Sequence, residues 1–157
     1  MRDGLHENFL RITEAVAYRS TCIRAKVGAT VVDQYNHIVS TGYNGAPVDT
    51  PHCIDREMCL RVEYNIPSGT RYELCNSVHA EANALLQAGR LSYGGTLYVV
   101  SLKPNNEIFE NYPCMMCSRL ILNSHIYEVV IGLPNDEYKK LSPEEVYLMS
   151  HSGRGIY

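Results

Sequence analysis

The sequence predicts a three-layer α/β/α domain around a mixed central sheet of four to five strands. Three observations carry this expectation. An amphipathic segment near the start is followed by two apolar, β-rich runs separated by a turn. Beyond that hairpin, helical and strand patterns alternate, as they do when helices cover both faces of a sheet. The chain has 157 residues, 45% of them hydrophobic and 20% charged, ordinary values for one globular unit. A domain of this size buries about 70% of its unfolded surface, enough for a core without disulfide help.

The elements follow in order. Leu5, Phe9, Ile12, Ala15, Val16 and Arg19 recur at three- and four-residue steps, which predicts a helix over residues 4–20. Val27–Val32 reads as a buried strand, Asp33–Asn36 as a turn and His37–Tyr43 as the returning strand, with His37 at the surface. Asn44-Gly45-Ala46-Pro47 closes that strand in a tight loop. Residues 48–77 are the least regular part and read as an insertion with one short helix near Arg56–Tyr64. Val78–Ala88 is rich in strong helix formers and Gly89 is a natural stop. Thr96–Val100 reads as the third strand, and Ser101–Tyr112 as a second irregular run. Cys117–Asn123 continues as a helix and Ile126–Ile131 as the fourth strand. Ser142-Pro143-Glu144-Glu145 combines an N-cap, a proline in the first turn and two acids, so a helix begins there and runs to about Met149. Gly155-Ile156-Tyr157 is the candidate fifth strand.

Bulk properties exclude several classes. Net charge is −3 and no basic stripe is visible, so a partner that is a nucleic-acid polymer is not expected. No apolar run approaches the roughly 18 residues that mark a membrane span. The start, Met1-Arg2-Asp3-Gly4-Leu5-His6, lacks the basic-then-apolar layout of a signal peptide. A cytoplasmic, reducing setting is therefore expected, in which six cysteines suit metal ligation better than disulfides.

The chemistry concentrates in two half-motifs. His79-Ala80-Glu81 offers an imidazole and, two positions on, a carboxylate. Pro113-Cys114-Met115-Met116-Cys117 offers two thiolates at C-x-x-C spacing, and Pro113 stands 32 positions after Glu81. His79, Cys114 and Cys117 make three protein ligands for zinc, leaving the fourth tetrahedral position for water. Zinc lowers the pKa of such a water to about 7, and Glu81 is placed to shuttle its proton. H-x-E followed by P-C-x-x-C is the signature of zinc nucleobase deaminases, whose Glu is not a ligand. The competing interpretation, a closed structural zinc knot, needs a fourth ligand and leaves Glu81 without a use.

Four thiols remain: Cys22, Cys53, Cys59 and Cys75. A closed tetrahedral zinc needs four ligands, so they are candidates for a second, structural zinc that pins the insertion to the core, with His52 able to replace one thiolate. The alternative is four partly buried free thiols.

The stretches RSTCIRAKVGATVV (19–32), STGYNGAP (40–47), ELCNSVHAEANALLQAGR (73–90) and YPCMMCSRLILNSHI (112–126) resemble the deoxycytidylate (dCMP) deaminase family within the cytidine deaminase superfold. The resemblance implies hydrolysis of dCMP to dUMP and ammonia, feeding thymidylate synthesis. It implies a homo-oligomer, a hexamer, activated by dCTP and inhibited by dTTP with Mg2+. In the family the Asn of T-G-Y-N-G-A-P contacts the sugar-phosphate, which makes Asn44 a substrate-binding candidate; a simple turn-capping Asn is the alternative. Arg90 matches an active-site Arg of some members, and Lys26 is placed to approach a phosphate, each against the plainer reading of a solvated cation. Some members also carry a structural zinc near the positions of Cys22 and Cys53. The run 101–112 is longer than the family's usual link. The competing functions are a deaminase of dCTP, free cytidine or a tRNA base, and, in a different class, a non-catalytic zinc assembly module.

Overall fold

The structure, a computed structural model, describes residues 2–152. Helix α1 (Leu5–Ala17) leads into β1 (Lys26–Val32) and β2 (Ile38–Tyr43). Two single-turn helices follow, α2 (Cys53–Arg56) and α3 (Leu60–Glu63), then a 3-10 turn at Tyr72–Leu74. The remainder is α4 (Ala80–Ala88), β3 (Thr96–Leu102), α5 (Met115–Asn123), β4 (Glu128–Gly132), β5 (Tyr138–Leu141) and α6 (Pro143–His151). The sheet order is β2-β1-β3-β4-β5. Only the β3–β4 pair is parallel; β1 pairs antiparallel with both β2 and β3, and β4 with β5.

The sheet is covered on both faces, as its near-continuous apolar strands require. On one face Phe9, Leu10 and Ala17 of α1 pack with Tyr98, Val100 and Val130. On the other, Ala80, Ala84 and Leu85 of α4 and Ile121 of α5 pack with Ala29, Val31, Leu97 and Val99. Close approach is set by two glycines. A methyl on Gly28 would collide with the backbone of Thr13 and Ala17, and one on Gly42 with that of Ala80 and Ala84. The buried hydroxyls of Thr13 and Thr30 bond at 2.9 Å, satisfying each other between α1 and β1.

Several expectations are corrected. The single helix expected over Arg56–Tyr64 is two separate turns, because Glu57 adopts the left-handed conformation and Cys59 is extended between them. The fifth strand is Tyr138–Leu141, next to β4; the expected strand at Gly155–Tyr157 lies outside the described residues. Ser101–Tyr112 is less irregular than expected: β3 continues through Leu102, the chain turns at Asn106, and Ile108 bridges back to Leu102. The last helix extends to His151. His37 is exposed as expected and pairs with Asp33 at 3.1 Å. Among the described residues no helix is long and apolar enough to cross a membrane.

Candidate metal and substrate site

The two half-motifs meet because each ends a loop at the start of a helix. His79 is the N-cap of α4 and Cys114 the N-cap of α5, both with extended backbone. Helix α4 is anchored on β2: the Ser40 hydroxyl donates to Ala84 O at 2.7 Å and Asn83 Nδ2 to Tyr43 O at 2.9 Å. The loop after β2 is tied to the residue just before His79, with Val78 N donating to Gly45 O at 2.8 Å and Gly45 N to Val78 O at 3.2 Å.

His79 Nδ1 lies 3.4 Å from Cys114 Sγ and 3.5 Å from Cys117 Sγ. Zn–S bonds of about 2.3 Å and a Zn–N bond of about 2.0–2.1 Å at a tetrahedral angle separate N from S by about 3.5 Å. Both nitrogen–sulfur separations thus match the spacing that zinc demands. Among the described residues this is the one group of three or more His, Cys, Asp or Glu whose donor atoms lie within 4.8 Å of one another. Their proximity couples the three groups. The Cys114 sulfur, and after it Cys75, raises the His79 pKa to about 11. The hydrogen bond from Cys117, and then His79, against the opposing effect of burial, brings Cys114 down to about 4. Cys117 is driven upward, first by Cys114 and then by burial. A bound zinc replaces these protons, since its ligands are thiolates and a neutral imidazole.

Glu81 sits in the first turn of α4, only 5% exposed. Burial raises its pKa, with the neighbouring His79 opposing. It lines the same cavity as His79 and Cys114, a space of about 330 Å³. A buried carboxylate of raised basicity beside a three-ligand metal position can accept and return a proton.

Asn44 is buried and also lines the cavity. Its carboxamide is heavily engaged: Oδ1 accepts from Val27 N at 2.8 Å and from the Ser20 hydroxyl, and Nδ2 donates to Ala25 O at 2.9 Å. It therefore holds the 20–27 loop against the site. Lys26 and Arg90 are absent from the cavity wall. Lys26 reaches Asn106 Oδ1 at 2.7 Å, and Arg90 is exposed in the 3-10 turn after α4. Cys22, Cys53, Cys59 and Cys75 all line the cavity. Burial, followed by the neighbouring Cys22, raises the Cys53 thiol, with Cys75 and Cys59 adding to it.

Sequence reasoning missed part of the wall. The run after β3 delivers Phe109, Asn111 and Tyr112, and the insertion delivers Arg61 and Tyr72. The Tyr72 ring meets the His79 ring edge-on at 5.1 Å. Nothing periodic marks these positions; the only signal is the presence of aromatic residues within each irregular run.

A mixed sheet presenting one imidazole and two thiols at two helix starts, with a buried carboxylate two positions from the imidazole, defines a zinc-dependent hydrolase of the deaminase type. The chain matches, over residues 4–133, the family described as the cytidine and deoxycytidylate deaminase zinc-binding region, and it belongs to that family. It is 42% identical over 135 residues to a deoxycytidylate deaminase of Mycobacterium phage D29, covering 82% of this chain and 94% of that protein. It is 35% identical over 124 residues to a deoxycytidylate deaminase of Schizosaccharomyces pombe, covering 78% of this chain but 35% of that longer protein. Among solved structures, dCMP deaminase from the cyanophage S-TIM5 shares the fold, with a TM-score of 0.61 at 24% identity over 96% of this chain and 94% of that one. The same cyanophage enzyme has also been solved in complex with dCMP and dUMP.

Proposed function

We propose that the protein hydrolyses dCMP to dUMP and ammonia. The observation that carries this reading is the His79–Cys114–Cys117 triad with Glu81 buried in the same cavity. The phage D29 relative, matched over 94% of its length, bears the name deoxycytidylate deaminase. Zinc held by the triad supplies the Lewis acidity that makes water a nucleophile at neutral pH. The chain's own groups do the rest. Glu81 accepts a proton from the attacking water and passes it to the ring nitrogen beside the amino-bearing carbon. It then takes the remaining proton from the newly added hydroxyl and delivers it to the amino group, so that the new C–O bond becomes a carbonyl, the C–N bond breaks and ammonia leaves. Asn44 holds the loop that borders the sugar side of the cavity. Phe109, Tyr72 and Tyr112 supply aromatic surface for the base.

Ammonia release measured side by side with dCMP, dCTP, deoxycytidine and cytidine tests this. Preference for dCMP supports it. A preference for dCTP, or equal rates with nucleosides and nucleotides, contradicts it, and silence with all four favours a non-catalytic zinc module.

We also infer a structural zinc at Cys22, Cys53, Cys59 and Cys75, supported by the four thiols lining one cavity. No three of these sulfurs lie within 4.8 Å of one another, so binding requires them to draw closer. Two zincs per chain support it; one zinc with four titratable thiols contradicts it. The family resemblance further supports a cytoplasmic homo-hexamer that answers to dCTP and dTTP with Mg2+, and Leu86, Met116 and Leu120 on α4 and α5 are exposed apolar residues available for such contacts. Sedimentation with and without each nucleotide tests this.

A further inference from the structure

Arg61 is a buried cation with no ion-pair partner among the described residues. It is 5% exposed, and the ion pairs of the described residues involve Arg11, His37, Arg71, Lys103 and Lys140 instead. One terminal nitrogen, Nη2, donates to the carbonyls of Pro67 and Thr70, both at 2.9 Å. The guanidinium lies over the Tyr72 ring at 4.3 Å. These contacts fix its orientation without neutralising it, and its Nε has no hydrogen-bond partner. Removing a guanidinium from water with neither an opposite charge nor a full set of acceptors is costly. A fold keeps such a group where a ligand completes it.

Arg61 lines the same cavity as His79 and Glu81. Two successive ring contacts, Arg61 to Tyr72 and Tyr72 to His79, separate it from the metal-binding imidazole. The cavity also admits the exposed Arg24 and the small polar Ser68.

We propose that Arg61 is the positioning residue for the 5′-phosphate of the substrate, its guanidinium bonding a phosphate oxygen. This inference rests on the proposed reading of the cavity as a nucleotide site and deepens it. The phosphate supplies the missing negative charge, and the planar fork supplies direction, so the base is carried to the metal end of the cavity in one register. The single turn of α3 and the loop at 67–70 thus become the substrate-specific part of the insertion, and a nucleoside, lacking phosphate, leaves Arg61 uncompensated.

Zinc-loaded wild type, Arg61→Met and Arg61→Lys are compared with dCMP and deoxycytidine. The ratio of kcat/KM for dCMP to that for deoxycytidine is expected to fall about 100-fold in Arg61→Met, the scale of truncating one partner of a buried charge pair, with partial rescue in Arg61→Lys. An equal fall with both substrates, leaving the ratio unchanged, overturns the proposal and makes Arg61 a structural clamp. If the variants do not fold, wild-type crystals soaked with dUMP decide: phosphate oxygens within hydrogen-bond distance of the Arg61 guanidinium support it, and phosphate held elsewhere overturns it. A wild type inactive on every cytosine substrate would instead overturn the proposed function.

Discussion

His79 Nδ1 lies 3.4 Å from the Cys114 sulfur although 35 positions separate the two residues. Both are helix N-caps, and the parallel β3–β4 pair fixes the two helix starts side by side. The metal position is thus a consequence of topology.

Metal removal should therefore cost stability without erasing the fold. A ligand present at a thousandfold excess over its Kd adds about 4 kcal/mol to the native state, so chelation should lower Tm by several degrees. Cys117→Ser, lacking a ligand, should melt at the chelated temperature with or without chelator. Calorimetric scans of both proteins check this.

The packing of α4 on β2 has its own test. Gly42→Ala places a methyl against the backbone of Ala80 and Ala84, and overpacking of this kind costs about 1–3 kcal/mol. Because that turn of α4 carries His79 and Glu81, kcat should fall along with the denaturation midpoint. A variant of wild-type stability and rate would show that the helix shifts freely.

Asn44→Ala removes the acceptor of Val27 N and the donor to Ala25 O, leaving part-buried groups unpaired at about 1–3 kcal/mol. Denaturant titration should register that loss whether or not the residue also touches substrate. A loss of turnover without a loss of stability would assign Asn44 to substrate alone.

Tyr98 gives a pH prediction. It is 2% exposed, and burial, followed by the negative charge of Glu128, raises its pKa to about 12 from 10. A raised folded-state pKa means that stability is fully present below the unfolded value and is lost as pH rises through the window from 10 to 12. Tyr98→Phe should lose less stability across that window than wild type, as judged by urea unfolding at pH 9 and pH 11.

Much of this was legible in the sequence because it rests on local pattern. The period of α1, the apolar runs of β1, β3 and β4, and the capping signal at Ser142, whose hydroxyl accepts from Glu145 N, are all read within one window. The triad was legible because its residue types are rare in combination. What was not legible depends on long-range contact. β5 reads Tyr-Lys-Lys-Leu and exposes both lysines, as an edge strand does to discourage further pairing; its partner β4, not its own composition, makes it a strand. Arg61 belongs to a single helical turn and is buried only because the loop at 67–70 and Tyr72 fold over it. Phe109 reaches the cavity only because the chain reverses at Asn106.

Glu81→Gln tests the central claim most directly. In zinc-loaded protein with saturating dCMP, the variant should retain the zinc content of wild type while forming dUMP at least about a thousandfold more slowly, since it loses the proton carrier and keeps the ligands. Turnover near the wild-type rate with zinc in place would contradict the account.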